Sequence, residues 1–143
     1  MIQRLKSRGA NLSDLTDIYT KQIRSLLEFG VPVWNYGLTV AMVQDIERVQ
    51  KSFLHIALGD CYGRYENALD VSGLETLEHR RTQLCTKFAV KASKHPKHRY
   101  WFVPEFGPNT RSEKLTFKAP LGRLKRFRKS PIPYLTNLLN LKT

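Results

Sequence analysis

Lys118, Arg123, Lys125, Arg126, Arg128 and Lys129 fall within a dozen positions that hold no acid, and Phe117, Leu121, Leu124 and Phe127 are interleaved with them. Such a segment binds phosphates with little regard to sequence, because each neutralised phosphate releases counterions. Aromatic rings among the charges can stack on unpaired bases. The same residues also read as a nuclear-import patch or as a charged linker in solvent. Arg99-Tyr100-Trp101-Phe102 sets one cation beside three aromatics. It reads either as a base-stacking platform or as an aromatic plug folded onto a core, and the plug is the commoner use.

Metal and nucleophile chemistry find no comparable cluster. Cys61 and Cys85 stand far apart without a Cys-x-x-Cys pair, and His95 and His98 add no tight ligand set, whereas structural zinc wants four ligands in close pairs. Asp14, Asp17, Asp45, Asp60 and Asp70 are scattered. Two-metal phosphoryl transfer needs clustered carboxylates. No glycine-rich phosphate loop or nucleophile elbow is present. The expectation is a chain with no catalytic residues, no metal site, no cofactor and no enzyme activity of its own.

A length of 143 residues with 41% apolar content suits one modest domain, or a smaller one with a tail. The formal charge of +12 is uneven. Residues 1–90 carry 11 Lys or Arg against 10 Asp or Glu, and residues 91–143 carry 13 against 2, together with six of the seven prolines. A near-neutral body with a basic end points to a polyanion: nucleic acid first, an anionic membrane surface second. No apolar run is long enough to span a bilayer, and no signal sequence is evident. With two cysteines and no disulfide framework, a reducing intracellular compartment is expected.

Helical spacing organises the first part of the chain. Ser13 can cap a helix whose stripe is Leu15, Ile18, Tyr19, Gln22, Ile23 and Leu26, with Arg24 and Glu28 pairing in solvent and Gly30 as the stop. Val31, Val33, Trp34 and Tyr36 follow as an apolar connector. Thr39 can cap a second helix to Leu58, with Met42, Ile46, Val49, Phe53 and Ala57 inward and Gly59 as its stop. A short helix over 65–71 and a long one over 77–93, with Leu77, Leu84, Cys85, Phe88 and Ala92 on one face, complete the set. Arg81 lies inside that last stripe. It reads either as a core ion pair with Asp45 or Glu47, which is favoured, or as a phosphate contact at a cleft. Arg80, at the stripe's edge, is the better candidate for solvent or phosphate.

The predicted fold is all-α: a small bundle of three long amphipathic helices plus a short one over residues 1–94, then an irregular basic proline-rich extension over 95–143. Residues 103–130 are expected to be poorly ordered, with an apolar turn or two over 134–141.

Three different patches stand in a fixed order: Ile18-Tyr19-Thr20-Lys21-Gln22-Ile23-Arg24-Ser25 running to Pro32-Val33-Trp34; Ile46-Glu47-Arg48-Val49-Gln50-Lys51; and Leu77-Glu78-His79-Arg80-Arg81 with Leu84-Cys85 and Lys87-Phe88-Ala89. This ordered set resembles the thumb-like region after the palm in reverse transcriptases of non-LTR retrotransposons, the jockey-like long interspersed elements. Arg111, the Pro120 region and the stretch from Arg128 to Asn140 resemble the carboxyl end of such reading frames. The palm aspartates that bind the catalytic metals of an RNA-directed DNA polymerase have no counterpart here, so the resemblance implies a non-catalytic fragment of such a transposable element. Its helices would hold RNA or DNA, as a template–primer-like duplex or a single strand, by backbone contacts. Arg24, Arg48, Lys51, Arg80 and Arg81 occupy the matching patches. A start at Met1 just after the palm fits a 5′-truncated copy, whether degraded or retained for another use.

The expected nucleic-acid-binding residues are therefore Arg80, Arg81, Lys118, Arg123, Lys125, Arg126, Arg128 and Lys129, in a nuclear or cytoplasmic protein with no membrane association. The competing expectation is a helical interaction module whose bundle face binds a protein while the basic tail localises it. Exposed Val33, Trp34 and Tyr36 would favour that module. A remnant without a selected role is the third reading.

Overall fold

The computed structural model describes residues 1–105, 116–118, 120, 124, 127 and 130–141. The chain is mostly α-helical and divides into two compact units, Met1–Phe29 with Leu38–Arg80, and Gly30–Gly37 with Arg81–Thr143. Residue 94, the expected end of the helical body, lies inside the second unit.

The first unit holds α1 (Ile2–Ser7), α2 (Leu12–Ile18), a π-helical stretch (Tyr19–Arg24), α3 (Ser25–Glu28), α5 (Val40–Leu58) and α6 (Tyr65–Ser72). The cap of α2 is Asn11 rather than Ser13: its side chain accepts the Asp14 N–H at 2.8 Å. Leu15 and Tyr19 are fully buried, but Leu26 is 76% exposed. A π turn takes more residues than an α turn, so the face advances past Leu26 and presents Glu28 inward instead. Thr39 caps α5 through Met42 N–H, and Gly59 ends it with a φ of 58°. Lys6 Nζ donates to the Ile56 carbonyl at 2.8 Å, meeting a backbone acceptor left free at that helix end.

The inward face of α5 is Gln50, Phe53, Leu54 and Ala57, whereas Met42 and Val49 stay exposed. The predicted stripe is thus turned toward Gln50, and the reason is chemical. Gln50 Oε1 accepts from the Tyr19 hydroxyl at 3.0 Å, and its Nε2 donates to the Tyr65 hydroxyl at 3.1 Å and the Glu75 carbonyl at 2.8 Å. A buried amide so engaged carries little desolvation cost. Phe53 stacks on Tyr19 at 4.1 Å between ring centroids, and Leu54, Leu69 and Leu74 close the core.

The second unit contains α4 (Val31–Trp34), all of α7 (Leu77–Lys94) beyond Arg80, a 3₁₀ turn (Arg99–Trp101), β1 (Val103–Glu105), β2 (Thr116–Lys118) and α8 (Pro131–Asn140). The predicted connector is therefore helical, α4 running on into a 3₁₀ turn over Asn35–Gly37. Gly30, at φ 64°, sets the chain into α4. The buried face of α7 is Arg81, Cys85, Ala89 and Ala92; Phe88, expected inside, is 40% exposed. Trp101 and Phe102 pack against this face, which is the plug arrangement, while Tyr100 is 71% exposed.

Two parts of the extension differ from the irregular tail expected. β1 and β2 pair antiparallel, with Pro104 opposite Phe117. Pro131 and Pro133 open a ten-residue helix rather than preventing one, because the first turn has no use for the missing N–H. Leu135, Thr136 and Leu139 bury its inner side. Asn140 fastens β2 to α8, its Oδ1 accepting the Phe117 N–H and its Nδ2 donating to the Phe117 carbonyl, both at 2.9 Å. The expectation of poor order over 103–130 falls largely outside the described residues.

Candidate nucleic-acid interface

Arg80 and Arg81, adjacent in sequence, have different environments. Arg80 Nε meets Glu28 Oε1 at 2.9 Å, and Arg24 Nε meets the same oxygen at 3.4 Å, with the Glu28 side chain 16% exposed. The predicted Arg24–Glu28 pair thus lies in a half-buried setting, not in open solvent, and Arg80 joins it.

Arg81 is 2% exposed, as its place in the stripe predicts, and this leaves no surface for a phosphate. Its partner is not a carboxylate: Nε donates to Asn35 Oδ1 at 3.0 Å. Of the two expected partners, Asp45 pairs with Arg48 at 2.9 Å, and Glu47 accepts from the Tyr65 hydroxyl and the Leu77 N–H. The Arg81 charge sits among Asn35, Cys85 and Tyr134. Burial pushes the Cys85 thiol up, against the opposing pull of hydrogen bonds to Tyr134 and Asn35 and of the Arg81 charge.

Arg48 stays exposed in its ion pair, and Lys51 Nζ lies over the Tyr65 ring at 4.8 Å. Lys118 is exposed on β2. Arg123, Lys125, Arg126, Arg128 and Lys129 lie outside the described residues. Of the predicted residues that it describes, the structure places Arg80 in an ion pair, Arg81 in the core and Lys118 on the surface.

It assembles a different set. Lys87, Lys91 and Lys94 are all exposed and follow one another at steps of four and three on α7. That spacing places them on one face, opposite Cys85, Ala89 and Ala92. Lysines near a helix C-terminus are also favoured by its dipole. The signal was present in the sequence as a polar stripe facing the apolar one. It is weaker per residue than the dense run from Lys118, because a lysine stripe is ordinarily a solvated face.

Beyond α7 the stripe reaches a groove of about 660 Å³ whose lining includes Lys94, Arg99, Tyr100, Val103, Pro104 and Phe117. Among the described residues, none of Lys87, Lys91, Lys94, Arg99 or Lys118 has a carboxylate partner. The first unit carries 9 Lys or Arg against 10 Asp or Glu, and the second carries 15 against 2.

His95 and His98 stack at 5.0 Å, and His98 leans on Trp101. Among the described residues no group of three or more His, Cys, Asp or Glu could hold a metal ion, and no helix is long and apolar enough to cross a membrane. No family model matches the chain, and neither a curated protein nor a solved structure matches it.

Proposed function

We propose that this chain is a non-catalytic nucleic-acid-binding module, of the kind that follows the palm in non-LTR retrotransposon reverse transcriptases, acting in the nucleus or cytoplasm. The observation that carries the reading is the stripe Lys87–Lys91–Lys94 on a unit with 15 basic and 2 acidic residues. An uncompensated row of ammonium groups along one helix face follows a line of phosphates better than it suits any neutral ligand. The tail cations from Arg123 to Lys129 add to this charge along the sequence. Arg80 and Arg24 instead stabilise the fold through Glu28.

The test is anisotropy of a labelled duplex and a labelled single strand across a salt series. Binding whose logarithm falls linearly with log salt supports the reading, and so does its loss when Lys87, Lys91 and Lys94 are all changed to Glu. Salt-independent binding, or none, overturns it. Primer extension with magnesium or manganese is expected to give no product, since no paired aspartates are present.

One observation favours the protein-interaction reading. An apolar groove of about 380 Å³ opens in the second unit between Val33, Phe88, Trp101, Pro131 and Ile132, with Val33 68% exposed. Val33→Asp would abolish a protein partner there and leave nucleic-acid affinity unchanged.

A further inference from the structure

Tyr100 is the most exposed aromatic ring on the Arg99–Trp101 turn, and its neighbours explain why. The turn Arg99–Trp101 sends Trp101 and Phe102 into the core, with Phe102 at 2% exposure, and leaves Tyr100 outside at 71%. Trp101 stands nearly perpendicular to Tyr100, at 77° and 6.1 Å between centroids, and among the described residues no ring lies parallel to it. A face open for stacking therefore borders the groove.

Cations and apolar groups are arranged around that ring. Lys94, in the last turn of α7, and Arg99, beside Tyr100 in the chain, contribute to the lining, as do the apolar Val103, Pro104 and Phe117. The wall is held from behind. Phe117 meets Phe102 edge to face at 6.1 Å, and Asn140 bonds both backbone groups of Phe117. The volume of about 660 Å³ falls in the roughly 300–1,000 Å³ range of small-ligand sites.

We propose that this groove is a single-strand nucleic-acid site, in which Tyr100 stacks on an unpaired base while Lys94 and Arg99 hold the adjoining phosphates. The inference rests on the nucleic-acid reading above and adds the state of the strand. In a duplex the base faces are already covered by their neighbours, so a lone exposed ring gains nothing there. An unpaired base has a free face, and stacking on it is indifferent to its identity. An anionic bilayer would also attract the two cations, but a concave groove meets a flat surface poorly and leaves its apolar wall unused.

The experiment uses the full chain with a labelled oligothymidylate, a labelled duplex of equal length and vesicles containing phosphatidylserine. Tyr100→Ala is expected to weaken the oligothymidylate by roughly 5- to 150-fold, the range for one stacked base, and to leave the duplex nearly unchanged. Tyr100→Phe, which keeps the ring, is expected to retain single-strand affinity. Lys94→Ala and Arg99→Ala should each make the single-strand salt slope shallower by about 0.7. If the wild-type chain binds both nucleic acids and Tyr100→Ala affects neither, or both equally, the groove inference is wrong and the nucleic-acid reading survives. If the chain binds the vesicles and neither nucleic acid, both fall.

Discussion

Arg81 donates from Nε to Asn35 Oδ1 at 3.0 Å, and Asn35 in turn donates from Nδ2 to the Tyr134 hydroxyl at 2.9 Å. A neutral amide thus joins a buried guanidinium on α7 to a phenol on α8. Loss of the amide strands the charge, whereas loss of the charge strands only the amide. Asn35→Ala should cost about 1.5–3 kcal/mol, the range for a hydrogen bond to a charged group. Arg81→Met, similar in volume and uncharged, should cost less or even stabilise. Urea unfolding of the two variants gives the order directly, and the reverse order would mean that Arg81 contributes through contacts other than this bond.

Alkaline pH should destabilise the fold through buried acids that stay neutral in it. Burial raises the pKa of Tyr19, Tyr65, Tyr134 and Cys85, with the Glu47 hydrogen bond adding to the shift at Tyr65. Each folded value lies above the unfolded one. The stability they contribute is therefore complete below the ordinary thiol and phenol values, about 8.5 and 10, and is lost as pH rises through the raised ones. Urea unfolding free energy should be level to about pH 8 and fall beyond it. Tyr19→Phe should lower stability at neutral pH by about 1–3 kcal/mol, because Gln50 Oε1 loses its donor, and should soften the alkaline fall.

The two cysteines should separate cleanly by reactivity. Cys61 is exposed, and Cys85 is completely buried with its thiol held neutral. The thiolate is the reactive form, so a disulfide reagent at pH 8 should titrate one thiol in the native chain and two in urea. Two native thiols would show that α7 and α8 open readily around Cys85.

Helix period and caps carried most of the first unit into view. Thr39, Gly59 and the core positions Leu15, Tyr19, Phe53 and Ala57 all follow from spacing and end signals. The π-helical stretch escaped, since nothing in Tyr19–Arg24 departs from ordinary helical composition and the extra residue per turn is a matter of packing. Gln50 escaped because a glutamine reads as polar until three partners are in place around it. Arg81 was legible as buried but not in its partner, for Asn35 belongs to the connector 46 residues earlier and carries no periodic signal. The groove at Tyr100 was half legible: its residue types were plain, but which aromatic turns outward depends on the 3₁₀ turn.

Asn140 tests whether the groove wall depends on α8. Its side chain replaces a neighbouring strand for Phe117, meeting both the N–H and the carbonyl. Asn140→Ala should cost about 1–3 kcal/mol for two hydrogen bonds. It should also weaken single-strand binding without changing the salt slope, because no cation is removed. Asn140→Asp keeps the acceptor and loses the donor, so it should fall between wild type and Ala in both measurements. A steeper or shallower salt slope in either variant would mean that the phosphate contacts, and not only the wall, had moved.

The salt dependence of duplex binding separates the helix from the tail as the main phosphate contact. Lys87 and Lys91 are exposed on α7, and Arg126 and Arg128 belong to the dense basic run. Each phosphate neutralised on a duplex contributes about −0.9 to the log–log salt slope. Lys87→Ala with Lys91→Ala should make the slope shallower by about 2 if the helix face follows the backbone, with helix content unchanged because both side chains point away from the core. Arg126→Ala with Arg128→Ala should do the same if the tail does. If the two losses add to about 4 in the quadruple variant, both segments bind one duplex together. A combined loss no larger than either alone would mean that they compete for the same phosphates, and a slope indifferent to all four would assign the contact to Lys94 and Arg99 at the groove.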